Sequence, residues 1–193
     1  MNNTESNGVL NHGEIMELIY AGVIEGADKK NVNAASLNVR LANKFLVEAR
    51  DPNGYNGHHY SPLSFALRES PKFLEVEGGV VLAPGDFCLA SLVEKINLPN
   101  NLCCDVMLRS SAARMGIQHL LAGWGDPKYE GHLTLELKNE LRYHSVRLVG
   151  GDAIIQLRFH RINPVADDKG YDAMGGKYSG DTGPQVVKKE HGQ

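Results

Sequence analysis

The spacing of apolar residues along this chain changes near residue 34. Before that point Ile15, Leu18 and Ile19 recur at helical spacing and share one face. Asn11 followed by Glu14 spells an N-cap with its capping-box partner, and Gly22 suits a helix end. One short helix is predicted there, preceded by a loose polar segment of about residues 1–10. From Ala34 onward the pattern is mostly β. "ASLNVRLANKFLV" alternates in part, and "KFLEV", "GVVLAP", "DFCLASLVEKINLP", "CCDVML", "HLTLELKN" and "VRLVGGDAIIQLRFHRI" supply further short strands. Pro84-Gly85 marks a turn, and "DPNGYNGHHYSP" from Asp51 to Pro62 is a turn-rich loop. Many short strands with one or two small helices predict a mainly β fold, a distorted β-barrel or jelly-roll. No period suggests repeats, and 193 residues suit one domain spanning 1–193. After Pro164 the chain becomes glycine-rich and polar, and residues 165–193 are too polar to form a core element.

Two stretches stand out against this pattern. In "HLTLEL" the leucines occupy one face of a strand, and His132, Thr134 and Glu136 the other. With the leucines in the core, Glu136 faces outward beside Thr134. On an isolated strand that is an ordinary solvent-facing carboxylate; opposite a pocket wall it is a general acid/base with a raised pKa. In "MLRSSAARMG" a strand end runs into an arginine, two serines and a helix-forming run. Ser110 or Ser111 can cap the helix. The same helix start, flanked by Arg109 and Arg114, can instead surround an anion with donors. The loop "GDPKYEG" carries Asp126 and Tyr129, and the tail "GGKYSGDTGP" carries Lys177 and Tyr178 among glycines. Such a tail is either a loose terminus or a lid over a phosphorylated ligand.

Composition narrows the class. Hydrophobic residues make up 42 % and the formal net charge is −3, as expected of a soluble globular protein and not of a general nucleic-acid binder. No apolar run is long enough for a membrane span and no signal peptide is visible, which points to the cytoplasm. Three cysteines, Cys88, Cys103 and Cys104, form no disulfide framework. Cys103 and Cys104 are neighbours on a strand and point to opposite faces, with at least one buried. The His-x-Glu and Pro-Cys-x-x-Cys of a zinc deaminase are missing, His58-His59 has no partners at zinc-site spacing, and no Walker loop or dinucleotide fingerprint is present.

Six segments in order, "NAASLNVRLANKF", "LAPGDFCLASLVEKINLPNNL", "LRSSAARMGI", "AGWGDPKYEGHLTLELKN", "GDAIIQLRF" and "KYSGDTGP", resemble the dCTP deaminases of the trimeric dUTPase superfamily, over about Ala34 to Pro184. The resemblance implies a distorted β-barrel, a homotrimer with active sites at subunit interfaces, and removal of the 4-amino group of dCTP by water without zinc. By resemblance Glu136 handles the protons. Arg109, Ser110, Ser111 and Arg114 contact phosphates and help to hold the pocket water. Asp126 binds the 3′-hydroxyl and Tyr129 packs near the sugar. Thr134 and Leu135 read the base, partly through backbone, and Gln156 lines the site. Tyr171, Lys177 and Tyr178 belong to the segment that closes over the triphosphate. Magnesium arrives on the phosphates, with few or no protein ligands.

The chain departs from the family pattern at several positions. Leu108 stands where a glycine is usual, Asn38 for an aspartate, Leu121 for a threonine, Gly125 for isoleucine or valine, and Asp181 for a glutamine. An aspartate near a triphosphate is repulsive unless a cation intervenes. The Ala-Gly-aromatic run before the aspartate loop resembles the bifunctional enzymes that release dUMP and pyrophosphate, whereas plain deaminases release dUTP. Glu136 argues for deamination over a plain dUTPase. A nucleotide-binding regulator and a deaminase of a modified cytosine nucleotide remain further readings.

Overall fold

The computed structural model describes residues 8–49 and 71–188; the turn-rich loop with His58-His59 lies outside them. Strand β1 (Gly8–Val9) leads into helix α1 (His12–Tyr20). The predicted capping box is present. The Asn11 side chain accepts from the Glu14 N–H at 3.2 Å, and the Glu14 carboxylate accepts from the Asn11 N–H at 3.0 Å. Gly22 turns the chain away at a φ of +74°, a conformation open to glycine. The expected loose start is corrected at residues 8–10. Gly8–Val9 pairs with the last strand, and Leu10 is buried with Ile15.

The strands that follow are β2 (Ile24–Glu25), β3 (Leu37–Val39), β4 (Lys44–Glu48), β5 (Phe73–Glu77), β6 (Gly79–Leu82), β7 (Phe87–Ser91), β8 (Lys95–Asn97) and β9 (Leu102–Leu108). Helix α2 (Ser110–Arg114) comes next, then β10 (Ile117–Gln118), β11 (Trp124–Gly125), β12 (Glu130–Gly131), β13 (Thr134–Asn139), β14 (Val146–Val149) and β15 (Ile155–Arg161). All pairings are antiparallel. One sheet runs β1-β15-β9-β11 with β3 also on β15, a second β10-β13-β7-β4-β5, a third β12-β8-β2, and β14 pairs β6. The core lies between the first two sheets. Leu37, Val39, Cys104, Val106, Ile155, Leu157 and Phe159 face Phe45, Cys88, Ala90, Leu135 and Leu137, all buried.

Two apolar runs that read as continuous are each broken by a polar device. In "VRLVGGDAIIQLRFHRI" Gly151 adopts a φ of +92° and the Asp152 carboxylate accepts from the Val149 N–H at 3.0 Å, sending β14 and β15 to different sheets. In "DFCLASLVEKINLP" the fully buried Glu94 accepts from the Arg40 N–H and from Arg40 Nε, each at 2.9 Å, and separates β7 from β8. The tail also departs from expectation. Among the described residues it forms no strand and one short 3₁₀ turn (Asp167–Lys169), yet Tyr171 and Tyr178 pack on the core, and Asp181 is buried. Its two tyrosines supply the apolar area that its glycines lack. All three cysteines are buried and unbridged. Burial pushes the Cys88 and Cys104 thiols up to about 12, which keeps them protonated.

Asn139, fully buried at the end of β13, closes the second sheet. Its amide donates to Leu82 O and His144 O, and its carbonyl accepts from the Leu141 N–H, each at 2.9 Å. Asn139→Leu strands these three backbone groups in the interior. The expected loss is ~2–4 kcal/mol, read as a lower urea midpoint at unchanged m.

Candidate active site

The outward face of β13 builds the site. Thr134 pairs with Ser91 and Glu136 with Leu89, so the register that buries Leu135 and Leu137 turns Thr134 and Glu136 out, half-buried. The backbone of this strand has the same order. The Leu92 N–H donates to Leu133 O at 3.1 Å, so odd-numbered residues bond to β7. Even-numbered ones face β10, as the Glu140 N–H donating to Gly116 O at 2.8 Å shows. Strand β10 ends at Gln118, opposite Lys138. The backbone edge at Thr134 and Glu136 therefore lies beyond any strand among the described residues.

The tail takes over where β10 stops. The Gly180 N–H donates to Glu130 O at 2.7 Å, the His132 N–H to Asp181 O at 2.9 Å, and the Gln185 N–H to Thr134 Oγ1 at 3.1 Å. Between tail and sheet lies a cavity of about 390 Å³. Asp126, Thr134, Glu136 and Asp181 supply polar groups to it; Phe73, Phe87, Leu89 and Val187 line it with apolar surface, and Trp124, Tyr129, Tyr171 and Tyr178 with aromatic rings.

Burial among these apolar side chains raises the Glu136 carboxyl above its usual 4.5, and a hydrogen bond from its own N–H offsets this only in part. Asp126 accepts from Trp124 Nε1 at 2.9 Å. Tyr129 is buried and meets Tyr171 edge to face at 5.3 Å. Burial, then the charge of Asp181, pushes its hydroxyl pKa up, so it stays protonated. Tyr171 Oη accepts from the Tyr178 N–H at 3.1 Å. Gly123 is required for space: a Cβ there would lie 2.4 Å from Val106 O. Leu121, at the departure noted above, and Leu120 both adopt positive φ, 60° and 54°, a costly conformation for branched side chains.

The candidate residues thus fall into two groups. Asp126, Tyr129, Thr134, Glu136, Tyr171 and Tyr178 meet at the cavity. Arg109, Ser110, Ser111 and Arg114 sit on the strand-to-helix junction after β9 and do not line it. Ser110, Ser111 and Arg114 are exposed, while Arg109 Nη1 donates to Ala153 O at 2.6 Å. Capping by the serines is corrected. Arg109 is the N-cap, without a side-chain cap bond, because the helix begins at Ser110 itself. Gln156 belongs with this second group. It donates to Leu108 O and accepts from Ser36 Oγ, each at 3.2 Å, and it does not reach the cavity. Leu135 does not line the cavity either. Its side chain is in the core and its backbone faces β7, so the open edge belongs to Thr134 and Glu136. Lys177 is half-buried beside the cavity and does not line it. Trp124, Phe87, Leu89 and the tail stretch Gln185–Val187 were not singled out from sequence. Phe87 and Leu89 alternate in phase with Glu136, a signal that becomes readable only once the pairing register is known.

The family described as dCTP deaminase-like matches residues 9–162. A relative from Nanoarchaeum equitans named "dCTP deaminase, dUMP-forming" is 38 % identical over 184 residues, covering 88 % of this chain and 91 % of that protein. One from Haloarcula marismortui named "dCTP deaminase" is 35 % identical over 185 residues, covering 93 % and 94 %. The crystal structure of 2′-deoxycytidine 5′-triphosphate deaminase from Agrobacterium tumefaciens shares the fold, with a TM-score of 0.62 at 22 % identity, over 81 % of this chain and 49 % of that one. By its matched span and by these relatives, the chain belongs to the dCTP deaminase-like family.

Proposed function

We propose that this protein deaminates dCTP hydrolytically, with Glu136 as the proton carrier. The observation that carries the reading is a desolvated carboxylate beside an open strand edge in a cavity walled by aromatic rings. A pyrimidine laid against the backbone of Thr134 and Glu136 presents C4 to that carboxylate. Glu136 takes a proton from water, the oxygen adds to C4, N3 is protonated, and the C4–N bond breaks with a proton passed to the leaving ammonia. A raised pKa suits a group that both accepts and returns protons near neutrality. In this reading Asp126 accepts from the 3′-hydroxyl, Tyr129 packs on the sugar, and Tyr171 and Tyr178 hold the covering segment. Arg109, Ser110, Ser111, Arg114 and Lys177 serve the triphosphate, and Ser110 and Arg114 also hold the water. Gln156 braces the backbone before Arg109.

Among the described residues no group of three or more His, Cys, Asp or Glu could hold a metal ion. Three cationic side chains face several phosphate charges, so magnesium carried on the triphosphate fits, lowering the charge these residues must offset.

The cavity group and the Arg109–Arg114 group are complementary halves, and we place them together across the boundary of a homotrimer. The support is their separation within one chain and the exposure of Met107, Met115, Leu121 and Trp124. A second reading of the product is favoured by Ala122-Gly123-Trp124 and by the name of the Nanoarchaeum relative. A second water attacks the α-phosphorus, the bond to the bridging oxygen breaks, and dUMP and pyrophosphate leave in place of dUTP.

Incubation with dCTP and magnesium, followed by ion-exchange separation, is expected to yield ammonia with dUTP or with dUMP plus pyrophosphate. Untouched dCTP rejects the reading. Glu136→Gln is expected to lose at least ~100-fold in rate. The acid limb of the wild-type pH–rate profile should lie above 4.5, because only ionised Glu136 can take the proton. The raised pKa also has a stability consequence. Ionised Glu136 weakens the fold at pH above its folded pKa, and this cost vanishes below its unfolded one. Glu136→Gln should therefore melt at or above the wild-type temperature at pH 8, the difference shrinking toward pH 4.

A site shared between chains predicts complementation. Glu136→Gln and Arg114→Ala, each inactive alone, should regain roughly a quarter of wild-type activity when refolded together as random trimers. No recovery would place the whole site within one chain.

A further inference from the structure

Asp181 is 7 % exposed and lines the cavity, yet among the described residues only one of its carboxylate oxygens is bonded. Oδ1 pairs with Lys188 Nζ; Oδ2 is buried with no hydrogen-bond partner among the described residues. A carboxylate oxygen withdrawn from water at a cavity wall calls for a donor. The main chain holds Asp181 in place, since its carbonyl accepts from the His132 N–H and the preceding Gly180 N–H is bonded to Glu130 O. Lys188 is tied to the same wall. Its N–H donates to Tyr178 Oη at 3.4 Å, and its ammonium lies 5.4 Å from the centre of the Tyr178 ring. Through Tyr178 and Tyr171 this wall continues to Tyr129. The ion pair thus closes the loop 181–188, in which Asp181, Gln185, Val186 and Val187 line the cavity and Lys188 stands behind them.

We propose that Lys188 is a positioning residue of the nucleotide pocket: its pair with Asp181 fastens the tail over the cavity and keeps the second carboxylate oxygen aimed inward as an acceptor. This rests on the nucleotide reading above. The group that meets Asp181 is an O–H or N–H donor of the sugar or base, since a buried carboxylate repels phosphate. The aspartate, out of place as a phosphate contact, is thereby explained as a contact to the nucleoside, with its charge balanced from within the tail.

The test uses the full chain with two readouts: hydrogen exchange of tail amides without nucleotide, and KM and kcat for dCTP with magnesium. Lys188→Met leaves a buried carboxylate without its cation. Exchange at Gly180 and Gln185 should quicken by about tenfold or more, core peptides staying protected, and KM should rise by about tenfold with kcat within about twofold. Lys188→Arg should behave as wild type. Asp181→Asn/Lys188→Met needs no cation and keeps an acceptor, so both readouts should recover. Asp181→Leu/Lys188→Met should recover tail protection and keep the high KM. Unchanged exchange and KM in Lys188→Met, or no recovery in the Asn double variant, overturns the positioning role. A wild-type KM in the Leu double variant overturns the acceptor. If the wild type neither binds nor turns over dCTP, the nucleotide reading falls, and the pocket role with it. Tail exchange then still reports whether Lys188 fastens the strap.

Discussion

Leu135 lies opposite Ala90 and Leu137 opposite Cys88, and all four are buried in the core. Glu136, between the two leucines, must then face the cavity. A strand repeats every two residues, so a slip of one position would expose both leucines and bury Glu136 in the core. The cost of either change is several kcal/mol, which makes the hydrophobic core the device that aims the carboxylate. The same register sends the backbone of the even residues toward β10, and the early end of β10 leaves that edge without a strand partner among the described residues. Core packing and site geometry are in this way one decision.

Two of the three carboxylates that line the cavity have different surroundings. Glu136 has apolar neighbours and its pKa is raised by burial. Asp181 is more deeply buried but has Lys188 beside it. Burial among apolar groups disfavours the charged form, which is why the Glu136 carboxyl is raised. The tail supplies this difference, together with the tyrosines that carry it on the barrel. Its polar composition conceals a small apolar anchor, which is how a segment without strands comes to form a wall.

Much of the fold was legible from local physics. Asn11, Glu14 and Gly22 act within one turn of chain, where spacing alone determines the hydrogen bonds, and the structure has them as expected. The alternation of "HLTLEL" likewise gave the facing of Glu136. Local rules were misleading where the outcome depended on a distant neighbour. Ser110 and Ser111 have the chemistry of caps, but the Arg109 N–H bonds to Ile154 O, just before β15 and distant along the chain, and the helix starts one position on. Gly8–Val9 reads as loose until β15 is there to pair with it.

By itself the sequence determined the class of fold, the family and the polarity of the faces of "HLTLEL", because these follow from short-range periodicity and from motifs in order. Only the tertiary structure decided which candidates meet. It gathered Asp126, Tyr129, Thr134, Glu136, Tyr171 and Tyr178 at one cavity and left the Arg109–Arg114 junction outside it. It also brought Lys188 to Asp181. The physical reason is that a pocket is a relation between segments, fixed by pairing register and by which buried charge finds a partner, and neither is written in the spacing of residues along one stretch of chain.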